Sequence, residues 1–392
     1  MYNYKDVRDK LLKRMVDYEF VGYDPSAINF SPRAVYIRNL ISKIPLSVVR
    51  KVFLSLYSRF IYYIGGFAIF LLKPKQTSYA KGLALVLSGL SKLDETNESL
   101  INDLISKILD KRIEGRYLWA HEVNYSFPGG QEVTNETPNL ITSAFVANGF
   151  FDIYIKTKNE KCREIFLLIV RDIQEVIPYK VVSSDKICFM YTPVTSYHVH
   201  NANLHYSELL AKKISIGELE SAEKEHLLQL IRKSVNYSIS DFEEKGTYPY
   251  AGPPTEKLAI DNYHTGYLLR SLYEIDKHLS LELDKVVQNL LNFYLKEFVV
   301  DGYIVRDSEN TLQSHSLAEA ILISKIFGHQ FSECTKNKMQ NSINKTMHVL
   351  YCKKRGCFIN NVKRIGPFFI KDRTEMIRWS NCWMFYALSY KK

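Results

Sequence analysis

The chain has 392 residues, of which 46% are hydrophobic and 24% charged, a composition that excludes a disordered polypeptide. Lys and Arg outnumber Asp and Glu by 52 to 42; this favours an anionic partner, but no zinc-finger spacing and no basic stripe interleaved with aromatics marks a nucleic-acid groove, so nucleic acid is not expected. The six cysteines form no CxxC pair, and MYNYKDVRDKLLKRM carries no apolar signal core, which points to a cytoplasmic protein.

Residues 1–75 read as a basic N-terminal segment and 76–392 as a repeat domain. The most apolar run, FIYYIGGFAIFLL at 60–72, falls short of the roughly 20 residues of a membrane-spanning helix. It reads as a buried helix that closes the fold. With Arg50, Lys51, Arg59, Lys73 and Lys75 around it, the alternative is a peripheral contact of 46–75 with an anionic inner-membrane surface.

A helix pair follows at 80–91 and 97–110. A unit then recurs with starts roughly 50 to 65 residues apart, a repeat spacing. Its hairpin signal, a turn-forming Gly or Asp beside alternating aromatic or β-branched residues, appears in EGRYLWA (114–120), SDKICFMYTP (184–193), EKGTYPYAG (244–252), VDGYIVRDS (300–308) and KRGCFINNV (354–362). Each is followed by a helix start rich in small residues, from 137, 200, 261, 313 and 378. Second, amphipathic helices fit 161–178, 222–243, 281–299 and 334–351; in the second of these Leu228, Ile231, Val235, Ile239 and Phe242 form one stripe. Thr137-Pro138 has the form of a helix cap, and Ser316 to Glu319 that of a capping box.

The last helix, 378–392, lacks a second member, and the apolar helix at 46–72 lacks a first. If the two ends join, the chain is an all-α (α/α)6 toroid of six helix pairs, with short β-hairpins between the pairs at one mouth. The inner-helix N-termini gather at that mouth, where partial positive charge and unpaired N–H groups favour anions.

Aligned on their small residues, the inner-helix starts place His200, His264 and His315 at one equivalent position, with Thr142 in the earlier repeat. Asp261, three residues before His264, makes the leading acid/base pair, because a neighbouring carboxylate raises imidazole basicity and fixes its tautomer; helix capping is its competing role. His198, His200 and His205 of YHVHNANLH split across a helix start, so no metal is expected there, and Tyr197, His198, His200 and Asn201 read instead as one wall of a cleft. Arg116, Arg306, Arg373 and Arg378 could hold a carboxylate bidentately. Tyr125, Tyr197, Tyr248, Tyr250, Tyr263, Trp119 and Trp379 could serve as sugar platforms or pack the hairpins.

TPNLITSAFVANGFFDIY, YHVHNANLHYSELLA, IDNYHTGYLLRSLYEI and GYIVRDSENTLQSHSLAEAI together resemble a family of bacterial surface-polysaccharide biosynthesis proteins, over about 115–330 and loosely beyond. The family's YH-x-HN-x-N and DN-[YF]-HTGY blocks match Tyr197, His198, His200, Asn201, Asn203, Asp261, Asn262, His264, Thr265, Gly266 and Tyr267, and Asn262 is expected among the substrate-binding residues. The resemblance implies a toroid similar to glycoside hydrolases, uronic acid lyases and sugar epimerases. Where the family carries a tryptophan in a QNxDGSWxYG hairpin, this chain has Tyr248.

The expected function is therefore binding, and epimerase- or lyase-like modification, of an acidic sugar, oligosaccharide or lipid-linked glycan, alongside polysaccharide-assembly proteins and without a cofactor. Hydrolysis would need two carboxylates, and beside Asp261 only Glu256 and Glu319 are candidates. The competing expectation is a non-catalytic glycan-binding scaffold. An isoprenoid-handling toroid finds no DxDD-type acidic block.

Overall fold

A computed structural model describes residues 2–63, 65–95, 97–126, 132–253 and 260–390; Glu256 lies outside them. The chain opens with α1 (Tyr4–Asp17), α2 (Pro25–Asn29), α3 (Pro32–Ser42), α4 (Ser47–Tyr63) and α5 (Gly65–Leu72). Five pairs follow: α6 (Ala80–Ser91) with α7 (Glu98–Leu109), α8 (Leu140–Thr157) with α9 (Glu160–Val176), α10 (His200–Ile216) with α11 (Ser221–Lys245), α12 (Asn262–Leu279) with α13 (Asp284–Phe298), and α14 (Ser314–Phe327) with α15 (Glu333–Leu350). A π-helical turn, Ile377–Cys382, leads into α16 (Trp383–Ser389).

The inner helices α6, α8, α10, α12, α14 and α16 each pack on the next, and α16 packs back on α6, which closes the ring. Their sequences explain their place: α6 is buried along its whole length and α10 over all but its end, as all-round small and apolar surfaces require. The outer helices bury one stripe only, as in α9, where Cys162, Phe166, Ile169 and Ile173 recur at three- and four-residue steps.

The sixth outer helix is α1, which corrects the expectation that 46–72 closes the ring. Val7, Leu11 and Met15 recur every four residues, are buried, and set α1 against α16. Arg14 adds a bidentate pair to Glu375 at 2.7 and 2.6 Å. α4 is apolar on more than one face, so burying one stripe leaves Val48, Val52 and Leu56 exposed.

β1 (Tyr125–Ser126) pairs antiparallel with β2 (Glu132–Val133), and hairpins form from β3 (Tyr179–Ser183) with β4 (Lys186–Phe189), and β5 (Val299–Val300) with β6 (Tyr303–Ile304). The second turns through Asp301 and Gly302 at φ 52° and 75°, conformations that suit Asp-Gly. β7 (Thr311–Gln313), β8 (Tyr351–Cys352), β9 (Cys357–Ile365) and β10 (Phe368–Glu375) build an antiparallel sheet around β9. EKGTYPYAG forms no hairpin: Gly246 ends α11 in the left-handed region, and Ala251 makes only a single bridge to Val199. Pro249, which has no N–H to donate, stands between them. EGRYLWA likewise contributes one bridge, Ala120 to Pro138.

These connections interlock the mouth. The first N–H of α8 donates to Tyr191, that of α10 to Tyr250 and that of α12 to Arg306, at 3.0, 3.1 and 2.8 Å. Each of these three inner helices thus has one orphan donor satisfied by the loop of the next repeat. The caps differ from those expected: Asn139 rather than Thr137 caps α8, and α14 begins at Ser314, so Ser316 is already inside it.

Residues 23–72 form a second layer over the mouth. Ile28, Ala34, Ile61, Ala68 and Leu72 make a small core with Met376, and Trp379 packs against it. Asp24, the cap of α2, is fully buried and accepts from Arg378 at 2.8 Å.

Candidate functional site

The register of each inner helix decides where its first side chains point, because successive residues turn by about 100°. His200, His315 and His264 are the first, second and third residues after their caps. They are therefore not equivalent, contrary to the alignment on small residues, and they diverge.

His200 points away from the bore, against α11. It is fully buried, its Nε2 lies 2.8 Å from Asp241 and its Nδ1 3.1 Å from Ser238, and it stacks on Tyr237. Both ring nitrogens are engaged, so it holds α10 to α11 and is no open acid or base. His198 joins the same group through the Tyr237 hydroxyl at 3.2 Å. Tyr197 is half-buried against the core. The cleft wall expected from YHVHNANLH thus belongs largely to a helix interface, although Asn201 is buried with an Oδ1 that meets no partner among the described residues.

The block DNYHTGY, in contrast, assembles a site. Asp261 does both things proposed for it: Oδ1 accepts the His264 backbone N–H at 3.0 Å, and Oδ2 lies 2.8 Å from His264 Nδ1. Thr265 donates to the Asp261 carbonyl at 2.7 Å. At Gly266 a Cβ would stand 2.2 Å from Glu319 Cγ, so only glycine lets α12 approach α14 this closely. Tyr267 reaches His315 Nε2 with its hydroxyl at 2.7 Å. Asn262 is spent structurally: its amide donates to Val305 and accepts from Tyr294 at 3.1 and 3.0 Å, which removes it from the substrate-binding set.

His264 retains partial exposure and sits between Tyr250 and Tyr263, with ring centroids 4.2 and 4.4 Å away. His315 stacks on Tyr263 as well, at 4.4 Å and 12°. His315 also stacks on Trp383 at 4.3 Å and meets Trp379 edge-on at 4.8 Å. It is buried, its Nδ1 has no partner among the described residues, and burial, with Lys81, His264, Arg378 and Arg270 nearby, holds its pKa well below the ordinary value.

Below this level the bore is filled. Phe145 on α8 meets Tyr267 on α12 at 5.7 Å and Trp383 on α16 at 5.3 Å, contacts between helices that are not ring neighbours. The ammonium nitrogen of Lys81 reaches into this cluster, 4.0, 5.4 and 5.5 Å from the Phe145, Tyr267 and Trp383 ring centres. No carboxylate stands within ion-pair distance of it among the described residues, and burial drives its pKa well below the lysine value, with Arg378 adding to the effect. Arg270 and Glu319 neutralise each other at 2.5 Å. His205 touches Phe145 and Tyr267, with Nδ1 near Ser271 and Glu208.

A cavity of about 300 Å³ lies between the mouth and the overlying N-terminal layer, lined among others by Tyr263, Arg306, Gln313, Asn360 and Trp379 on the toroid and Ile28 and Ile61 on the layer. Gln313 Oε1, Asn360 Oδ1 and Trp379 Nε1 are buried without partners among the described residues, so polar groups converge on a space with aromatic walls. Arg306 also faces Asp307 at 3.5 Å.

Four further expectations are corrected. Arg378 is buried beneath the layer and held by Asp24, not open to a substrate. Arg373 is exposed on the flank, beside a separate cavity lined by Arg14, Tyr18 and Arg355. Tyr248 packs between Phe242 and Phe293, at the outer helices. Thr142 is buried, its N–H held by the cap residue Asn139. Among the described residues no group of three or more His, Cys, Asp or Glu side chains could hold a metal ion. The reading from sequence missed Lys81, Phe145 and Trp383; a lone lysine inside AKGLALVLSGL was the available signal.

No protein-family model and no curated protein matches the chain. Among solved structures it is similar to a sugar epimerase from a ruminal bacterium, at 12% identity and TM-score 0.58 over 80% of this chain and 87% of that one. It is similar to a D-mannose isomerase at 9% identity and TM-score 0.58, covering 79% and 86%. The cellobiose 2-epimerase of Spirochaeta thermophila gives 9% identity and TM-score 0.54 over 79% and 85%. At such identities the likeness is one of fold, and that fold is the (α/α)6 toroid.

Proposed function

We propose that the chain is a carbohydrate-active enzyme that moves a proton on a sugar at the toroid mouth, in the manner of an epimerase, isomerase or lyase. The observation that carries this is the Asp261–His264 pair. With Nδ1–H donated to Asp261, His264 is fixed in the tautomer whose Nε2 accepts a proton. The buried His315 stacks on the same Tyr263 ring that His264 meets and reaches the Tyr267 hydroxyl, so it positions the aromatic wall beside the partly exposed imidazole of His264. A proton removed from a carbon beside a carbonyl or carboxylate leaves negative charge on oxygen, which a cation must stabilise. Arg306, on the mouth cavity, is the cation we assign to it, which suits an acidic sugar.

The carboxylates nearby are already engaged: Asp261 by His264, Glu319 by Arg270, and Asp372 by Thr374 and Asn360. This speaks against hydrolysis by a carboxylate pair. The resemblance in sequence to surface-polysaccharide biosynthesis proteins suggests the setting, with an oligosaccharide or lipid-linked glycan as the larger substrate. The structural likeness to sugar epimerases and isomerases supports the reaction class by analogy.

The test is exchange of sugar C–H protons into deuterated water, followed by NMR across uronic acids and neutral sugars. Wild type should wash deuterium into one carbon position, and His264→Gln should slow this by about 10²–10⁴-fold. Asp261→Asn should slow it comparably while melting within a few degrees of wild type, since Asn caps a helix about as well as Asp. Binding of a sugar with no exchange or turnover in wild type would favour a glycan-binding scaffold instead.

A further inference from the structure

From residue 25 to residue 93 the sequence contains no Asp or Glu. In the structure this acid-free stretch includes the layer over the mouth, and its outer surface is apolar. On α4, Val48, Val49, Val52, Phe53 and Leu56 are exposed and follow one stripe, while Leu54, Tyr57 and Ile61 turn inward. On α5, Phe67, Phe70 and Leu71 are exposed while Gly65, Ala68 and Leu72 are buried. α5 packs on β10, where the hairpin with β9 exposes Ile365, Phe368 and Ile370. Lys43, Lys51, Arg59, Lys73 and Lys75 are exposed around these apolar side chains. No single described helix is long and apolar enough to cross a membrane.

We propose that the outer face of α4 and α5, with the tip of the β9–β10 hairpin, docks on an anionic bilayer surface. Large apolar side chains exposed in stripes, with Lys43, Lys51, Arg59, Lys73 and Lys75 around them and acids only where Glu309 and Asp301 pair with Lys363 and Arg364 of β9, match an acyl boundary beneath anionic headgroups. A protein partner would have to meet the same rim with acidic residues, and a second copy of this face would bring like charges together. The same layer lines the mouth cavity through Ile28, Ser58 and Ile61, so docking brings the mouth close to the bilayer. The inference stands on the surface alone and does not depend on the proton-transfer reading.

The test is flotation of the full chain with phosphatidylcholine vesicles, with and without phosphatidylglycerol. The chain should float with the anionic vesicles, less so at high salt, and scarcely with the neutral ones. Phe53→Glu with Phe70→Glu should abolish flotation without changing the melting temperature, because both side chains are already exposed. Lys51→Glu with Lys73→Glu should weaken binding about tenfold or more, given what each basic residue contributes at an anionic surface. Flotation that survives the Phe variant would overturn the proposal. So would a wild-type dimer in light scattering that the same variant dissolves while vesicles recruit neither.

Discussion

Lys81 is the residue whose placement is hardest to explain by stability. A lysine amine taken out of water with aromatic faces for company, and no carboxylate at ion-pair distance among the described residues, is held at a cost. The aromatic faces favour the cation and burial disfavours it, and burial, with Arg378 adding to it, holds the pKa well below the ordinary lysine value. Lys81→Met should therefore raise stability, by about 1–3 kcal/mol from removing an uncompensated polar group. Denaturant melts check this. A destabilised variant would mark Lys81 as structural. The anomaly was legible in sequence as one lysine in an apolar helix, but its direction was not: Tyr79 caps α6 without a side-chain hydrogen bond, so nothing local announced the register.

At the scale of elements, legibility followed whether the partner was local. Asp261 and His264 are three residues apart on one helix start, and their pairing was readable because a cap and its third residue must meet. His200 was misassigned because its direction depends on where α10 begins, and one residue of shift turned it from the bore to Ser238 and Asp241 on the neighbouring helix. Arg378 was read as a carboxylate clamp, and it is one, but the carboxylate is Asp24, 354 residues away in sequence. No local pattern reveals such a pair. Because both partners are buried, Asp24→Asn should cost about 3–5 kcal/mol by leaving Arg378 uncompensated, and should loosen the layer it caps. Limited proteolysis should then cut within 25–75 first. Adding Arg378→Met should restore much of the stability, since replacing both charges is often nearly neutral. If the single variants cost as little as the double, the pair is not what fastens the layer.

For the whole molecule, the question is what makes a chain of helix pairs a ring. Five helix pairs and two orphan ends are legible in the sequence, and the orphans imply closure, but the apolar helix at 46–72 is not the outer helix that completes it. The apolar richness of 46–72 drew the assignment, whereas α1 carries the cleaner four-residue repeat in a charged sequence. In an open solenoid a terminal repeat contacts one neighbour, so damage there frays only the end. In this ring α16 touches α14, α6 and α1 at once, so the last helix of the chain supports the first pair of the repeat. Leu11 is fully buried at that seam, and Leu11→Ala should cost about 2–5 kcal/mol. The distinguishing measurement is hydrogen exchange: protection should fall in α16 and also in α6, across the junction of the chain ends. Loss confined to α1 and α16, with α6 as slow as in wild type, would mean that the seam is a contact and not a closure.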